Sequence, residues 1–84
     1  MMLRIVPKRE RIDNDIARRL CVSVRQSYGV TQRELSKQTG VSMALIQRIE
    51  QGTQRTVAID VVLVFRKLAE EAAESGLVGG RAMG

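Results

Sequence analysis

Enzymatic chemistry finds little to work with in these 84 residues. There is no histidine, and the one cysteine is Cys21. No cluster of carboxylates and no glycine-rich phosphate cradle accompanies them, so neither an acid–base pair nor an activated nucleophile can be assembled. Glu70, Glu71 and Glu74 are the densest acidic group, and a solvated helix face accounts for them. A histidine–cysteine zinc site and an intramolecular disulfide are likewise excluded, and no metal or cofactor is expected. What remains is amide and guanidinium chemistry. Gln32, Gln47 and Arg48 can hydrogen-bond planar edges and oxyanions. The 14 Lys and Arg outnumber the 9 Asp and Glu, and they are unevenly placed. Residues 1–55 carry 11 basic against 5 acidic residues, a net +6, and residues 56–84 carry 3 against 4, a net −1. A basic half of this kind suits a polyanion, because each neutralised phosphate releases condensed counterions. Solubility would explain the same charge equally well.

The elements that must position these groups lie in residues 31–52. Thr31 and Ser42 are oxygen side chains just ahead of helix-forming runs, the pattern of two helix N-caps. Between them Gly40 can take the positive φ of a sharp bend, where a Cβ would cost about 1 kcal/mol. Leu35, Val41, Ile46 and Ile49 supply the apolar contact between two crossed helices. Two short capped helices around a glycine turn form the geometry with which small regulators enter the DNA major groove.

Upstream, a helix starts near Asp13 or Asn14 and stops at Gly29. Ile16, Ala17, Leu20, Cys21, Val24 and Tyr28 form its apolar stripe at three- and four-residue spacing. Cys21 on that stripe reads as a small core side chain rather than a reactive thiol. Downstream, residues 53–56 read as a loop and a last helix runs from about Val57 to Ser75. Residues 57–65 are apolar nearly all the way round, so one face covers the helix pair and the other needs a partner. A two-fold contact with a second copy is the expected solution, with Val57, Val61, Val64, Phe65 and Leu68 at the dimerisation surface. The β-branched content of the segment also admits a β reading, but the unbroken continuation into strong helix formers favours helix.

The organisation is then a single domain: a basic N-terminal arm over 1–11, a helical domain over 12–75 and a glycine-rich flexible tail over 76–84. With Tyr28 and Phe65 the only aromatics, stacking platforms for single strands or RNA bases are hard to build. No apolar run approaches the roughly 18 residues of a membrane span, and the start lacks the marks of a signal peptide. A cytoplasmic location is expected.

Gly29-Val30-Thr31-Gln32, Glu34-Leu35, Gly40-Val41-Ser42 and Ile46-Gln47-Arg48-Ile49-Glu50-Gln51-Gly52 together resemble the phage-repressor and Cro type of helix-turn-helix domain, often called the XRE family, over residues 12–68. The resemblance implies an all-α, lambda-repressor-like bundle of four or five helices that binds a palindromic operator as a homodimer, and in this chain the bundle is expected to end in a long C-terminal helix. It makes the second helix of the pair, about 42–50, the recognition helix. Ser42, Met43, Ala44, Gln47 and Arg48 then face bases. Gln47 suits adenine, Arg48 guanine or a phosphate, and Met43 and Ala44 the thymine methyl. Gln32 inherits a role at a phosphate or behind a base-reading side chain. Thr31, Arg33, Lys37, Thr53 and Arg55, with the arm residues Lys8, Arg9 and Arg11, are phosphate candidates. Arg25 and Glu50 match a structural ion pair and not a DNA contact. The chain departs from its relatives in the apolar Met43 and Ala44, which leaves more to thymine methyls, water and DNA shape, and in a last helix without a break.

Two readings follow. One is a sequence-specific regulator of double-stranded DNA. The other is an interaction module, an antitoxin or antagonist of a second regulatory protein, that uses the apolar 57–65 surface. Groove-facing Gln32, Gln47 and Arg48 favour the first.

Overall fold

Asp13 sets the first helix: its carboxylate accepts the Asp15 N–H at 3.0 Å, filling one of the four donors a helix start leaves open. The computed structural model describes residues 10–76. In chain order these form β1 (Arg11–Asp13), α1 (Asn14–Tyr28), α2 (Gln32–Thr39), α3 (Met43–Gln51), β2 (Thr56–Ala58) and α4 (Ile59–Glu74). Gly29 closes α1 in the left-handed region at φ 66°, its N–H donating to the Arg25 carbonyl, the helix ending that glycine permits without a Cβ clash.

The chain is therefore not all-α. β1 and β2 pair antiparallel, Arg11 opposite Ala58 and Asp13 opposite Thr56. The last helix begins at Ile59 and not at Val57. Thr56 and Val57 are β-branched, which favours extended backbone. Extension also turns Val57 into the core, where it is 1% exposed, between half-buried neighbours on either side. The ribbon replaces a cap as well. Ala58 caps α4 without a side-chain bond, and the Ile59 N–H instead donates to the Glu10 carbonyl at 3.0 Å. Arg11, assigned to the arm, is thus part of the folded domain: its Nε and Nη2 donate to Thr56 Oγ1 and the Thr56 carbonyl. Residues 1–9 of the arm, with Lys8 and Arg9, and residues 77–84 of the tail lie outside the described residues.

One core joins all four helices. Ala17, Cys21 and Val24 of α1, Leu35 of α2, Ile46 and Ile49 of α3, and Val62 and Phe65 of α4 meet with Val41 and Val57. Phe65 is the largest fully buried side chain. Phe65 and Val57, expected at a dimer contact, are instead committed within the protomer. A chain this short has few large apolar side chains, and the interior takes its one phenylalanine.

Candidate nucleic-acid interface

The helix pair α2–α3 is locked by local hydrogen bonds. Thr31 Oγ1 accepts the Glu34 N–H at 3.1 Å and the Thr31 N–H donates back to Glu34 Oε1 at 2.9 Å. This reciprocal capping box was legible as Thr-x-x-Glu. Gly40 takes φ 79° at the turn. Beside it Thr39 Oγ1 donates to the Leu35 carbonyl at 2.8 Å and accepts the Val41 N–H at 3.1 Å, while Ser36 Oγ donates to the Val41 carbonyl at 2.7 Å. Ser42 caps α3 by accepting the Leu45 N–H at 3.1 Å. Both backbone groups of Val41 are thus bonded to α2 side chains, which ties the start of α3 to the end of α2.

A polar cluster ties α3 to the rest. Arg25 Nη1 of α1 donates to both Glu50 carboxylate oxygens at 2.7 and 2.9 Å, its Nε donates to the Val30 carbonyl at 3.2 Å, and Gln32 Nε2 donates to Glu50 Oε1 at 2.9 Å. The thiol of Cys21 donates to Glu50 Oε2 at 3.3 Å. Desolvation pulls the Glu50 carboxyl upward, but hydrogen bonds from Arg25, Gln32 and Cys21 and the charge of Arg25 outweigh it, holding the group below the usual carboxylate range. Burial first, then the hydrogen bond and charge of Glu50, push the Cys21 thiol up to about 12. It is a neutral core group. At the other end of α1, Asn14 Nδ2 donates to the Ile49 carbonyl at 3.0 Å. Asn14 is buried, and among the described residues its Oδ1 has no hydrogen-bond partner.

The outward face of α3 follows from which side is buried. Ile46 and Ile49 are fully buried, while Ala44, Arg48 and Gln51 are exposed, and Met43 and Gln47 are half-buried. Ser42 is exposed at the start. Ala44, Arg48 and Gln51 therefore form the crest of the helix with Gln47 on its flank, at the i, i+4, i+7 spacing of one helical face. Gln51, which is not among the expected base contacts, shares this exposed face, as its spacing from Ala44 and Arg48 implies. Arg48 Nε donates to Gln54 Oε1 at 3.3 Å, a partner that only the fold of the following loop reveals.

The expected phosphate contacts divide. Arg33, Lys37 and Arg55 are exposed. Thr31 is occupied as a cap, and the Thr53 hydroxyl donates to the Arg48 carbonyl at 3.4 Å. The Gln32 amide nitrogen donates to Glu50 Oε1 at 2.9 Å, which braces the start of α2 against the end of α3. The apolar surface is also redistributed. Val61 and Leu68 are half-buried against the core and Val64 is 36% exposed. The larger exposures are Ile16 at 51% and Leu63 at 47%. Both line a shallow groove of about 480 Å³ between α1 and α4, with Arg19 and Arg66 among its walls.

Two helices fixed across a glycine turn, the second displaying a polar and small-residue face beside exposed basic groups, define a helix-turn-helix DNA-binding fold. A family model described as helix-turn-helix matches residues 22–65, more than half of the chain. The chain belongs to this family of XRE-type, lambda-repressor-like DNA-binding regulators. Searches among curated proteins and among solved structures give no match. Among the described residues no helix is long and apolar enough to cross a membrane.

Proposed function

We propose that this DNA-binding protein is a sequence-specific transcriptional regulator that acts as a homodimer on a palindromic operator, with α3 of each copy in a major groove. The observation that carries the reading is the exposed crest of α3. Ala44, Arg48 and Gln51, with Gln47 beside them, have no role in the core, and the opposite face is held by Ile46, Ile49 and the Arg25–Glu50 pair. In the groove the small Ala44 gives room for close approach and a thymine methyl contact, and Gln47 and Arg48 offer hydrogen bonds to adenine and guanine edges. Ser42 and Met43 lie at the helix start, the part of a recognition helix that enters deepest. Arg33, Lys37 and Arg55 meet phosphates and supply the sequence-independent part of the affinity. A homodimer sets two such helices about 34 Å apart on successive grooves. Such a role places the chain in a compartment with DNA, in keeping with the cytoplasmic expectation, and calls for no cofactor.

The exposed Ile16, Leu63 and Val64 support a second reading, in which an apolar face takes another protein and the chain modulates a second regulator. Selection of bound sequences from a random duplex pool at near-physiological salt separates the two. Enrichment of an inverted repeat supports the dimeric regulator. Salt-sensitive binding without enrichment overturns sequence reading and transfers weight to the interaction module.

A further inference from the structure

We infer that Gln54, in the loop after α3, is a positioning residue that presets the guanidinium of Arg48 for its contact in the groove; this rests on the proposed reading of α3. The bonds run in one direction. Gln54 Nε2 donates to the Thr56 carbonyl at 3.1 Å, and Gln54 Oε1 accepts from Arg48 Nε at 3.3 Å. Thr56 is a fixed anchor, since it lies in β2 opposite Asp13 and its carbonyl and hydroxyl also accept from Arg11 at 3.1 and 2.7 Å. With the amide nitrogen committed to a strand carbonyl, the amide oxygen must face the arginine. Arg48 is thereby held at Nε, the inner edge of its fork, and its terminal nitrogens carry the remaining donors for a base edge or a phosphate. A long exposed arginine ordinarily loses rotamer freedom when it binds, and holding it beforehand lowers that loss and narrows the directions in which it can donate. The β ribbon, through Thr56 and Gln54, thus bears on base choice without touching DNA.

The test uses Gln54→Met, which keeps length and removes both hydrogen bonds, beside Arg48→Ala and the double variant, all checked for unchanged thermal melting. In the free full-length protein the Arg48 Nε–H resonance should be slow to exchange and should become solvent-like in Gln54→Met; an unchanged resonance overturns the geometry. On the selected operator, Gln54→Met should bind about three- to tenfold more weakly and lose discrimination at the base pair that Arg48→Ala also relaxes. Its salt slope should be unaltered, and the double variant should be no weaker than Arg48→Ala alone. If Arg48→Ala relaxes a base preference and Gln54→Met leaves it intact, the positioning role fails while the groove reading stands. If Arg48→Ala changes no preference, or no operator is selected, the groove reading of this residue fails and the inference falls with it.

Discussion

Arg25 and Glu50 are joined through a single nitrogen: Nη1 of the arginine donates to both carboxylate oxygens, at 2.7 and 2.9 Å, and so links the first helix to the end of the third. Their side chains are 29% and 14% exposed, so the pair is neither a loose surface bridge nor fully dry. An apolar pair of equal volume would hold the helices about as strongly. What the ion pair adds is orientation, since Gln32 and Cys21 converge on the same carboxylate and fix where α3 sits against α1 and α2. The carboxylate's remaining capacity is taken up by Gln32 and Cys21, whose donors lie at 2.9 and 3.3 Å.

Removing one partner should be far worse than removing both. Arg25→Ala strands the Glu50 carboxylate among buried groups, and a loss of about 2–3 kcal/mol is expected after allowing for the partial exposure. Arg25→Leu with Glu50→Leu should recover much of it. Urea denaturation of the three proteins measures this directly. Equal losses in the single and double variants would mean that the contact contributes by packing and not by charge.

The same cluster sets the response to pH at both ends. Glu50 is held below its unfolded value near 4.3, so its contribution is present above that value and is lost as pH falls through the lower, folded one. Cys21 is raised to about 12 from an unfolded value of about 8.5. The neutral thiol is favoured in the fold, so that contribution is complete below about pH 8.5 and is lost as pH climbs toward 12. Cys21→Ala should flatten the alkaline limb of a stability-against-pH curve and leave the acid limb dominated by Glu50. In the native protein at pH 7.5 a maleimide should label Cys21 only at the rate of unfolding. Rapid labelling without unfolding would contradict the buried thiol.

Where the apolar surface lies decides how dimerisation should be tested. Phe65→Asp buries a charge in the core and should unfold the chain, with a loss above about 4 kcal/mol. Leu63→Glu and Val64→Glu, on exposed positions of α4, should leave the melting temperature nearly unchanged. If α4 makes the two-fold contact, at least one of the two halves the mass seen by sedimentation equilibrium and weakens operator binding, because each half-site then binds alone. A wild-type monomer at micromolar concentration would remove this expectation.

The helix pair was legible because its determinants are local. Caps at Thr31 and Ser42, the bend at Gly40 and the stripe through Ile46 and Ile49 act over three or four residues, within reach of spacing arguments. The Arg25–Glu50 pair spans 25 positions and came through family resemblance alone. The β ribbon was missed for the opposite reason. Three residues around Ile12 and three around Val57 are too short for an alternation to stand out, and their pairing across 45 positions is decided by tertiary closure. Residues 57–65 are apolar nearly all the way round, so the pattern does not say which face turns inward, and Phe65 lies in the core and not on the outer surface where the sequence places it. Gln54 shows the same limit: one of its two partners, the Thr56 carbonyl, is held in place by the ribbon, which no spacing rule reveals.

On DNA, the crest of α3 and the basic residues around it should separate by what they change. Gln47→Ala should cost about 1–3 kcal/mol on the preferred sequence and relax one base pair, whereas Arg55→Ala should weaken all sequences alike and lower the salt slope by about one. Gln51, exposed one turn beyond Gln47, should relax a base pair further from the helix start if the groove admits α3 along its length. It should be silent if only the first two turns enter. Titrations of each variant on the operator and on single-base mismatches, at two or more salt concentrations, separate these outcomes. A Gln47→Ala protein that binds its best site unchanged would remove Gln47 from the base-reading residues and leave it on the flank where its half-burial places it.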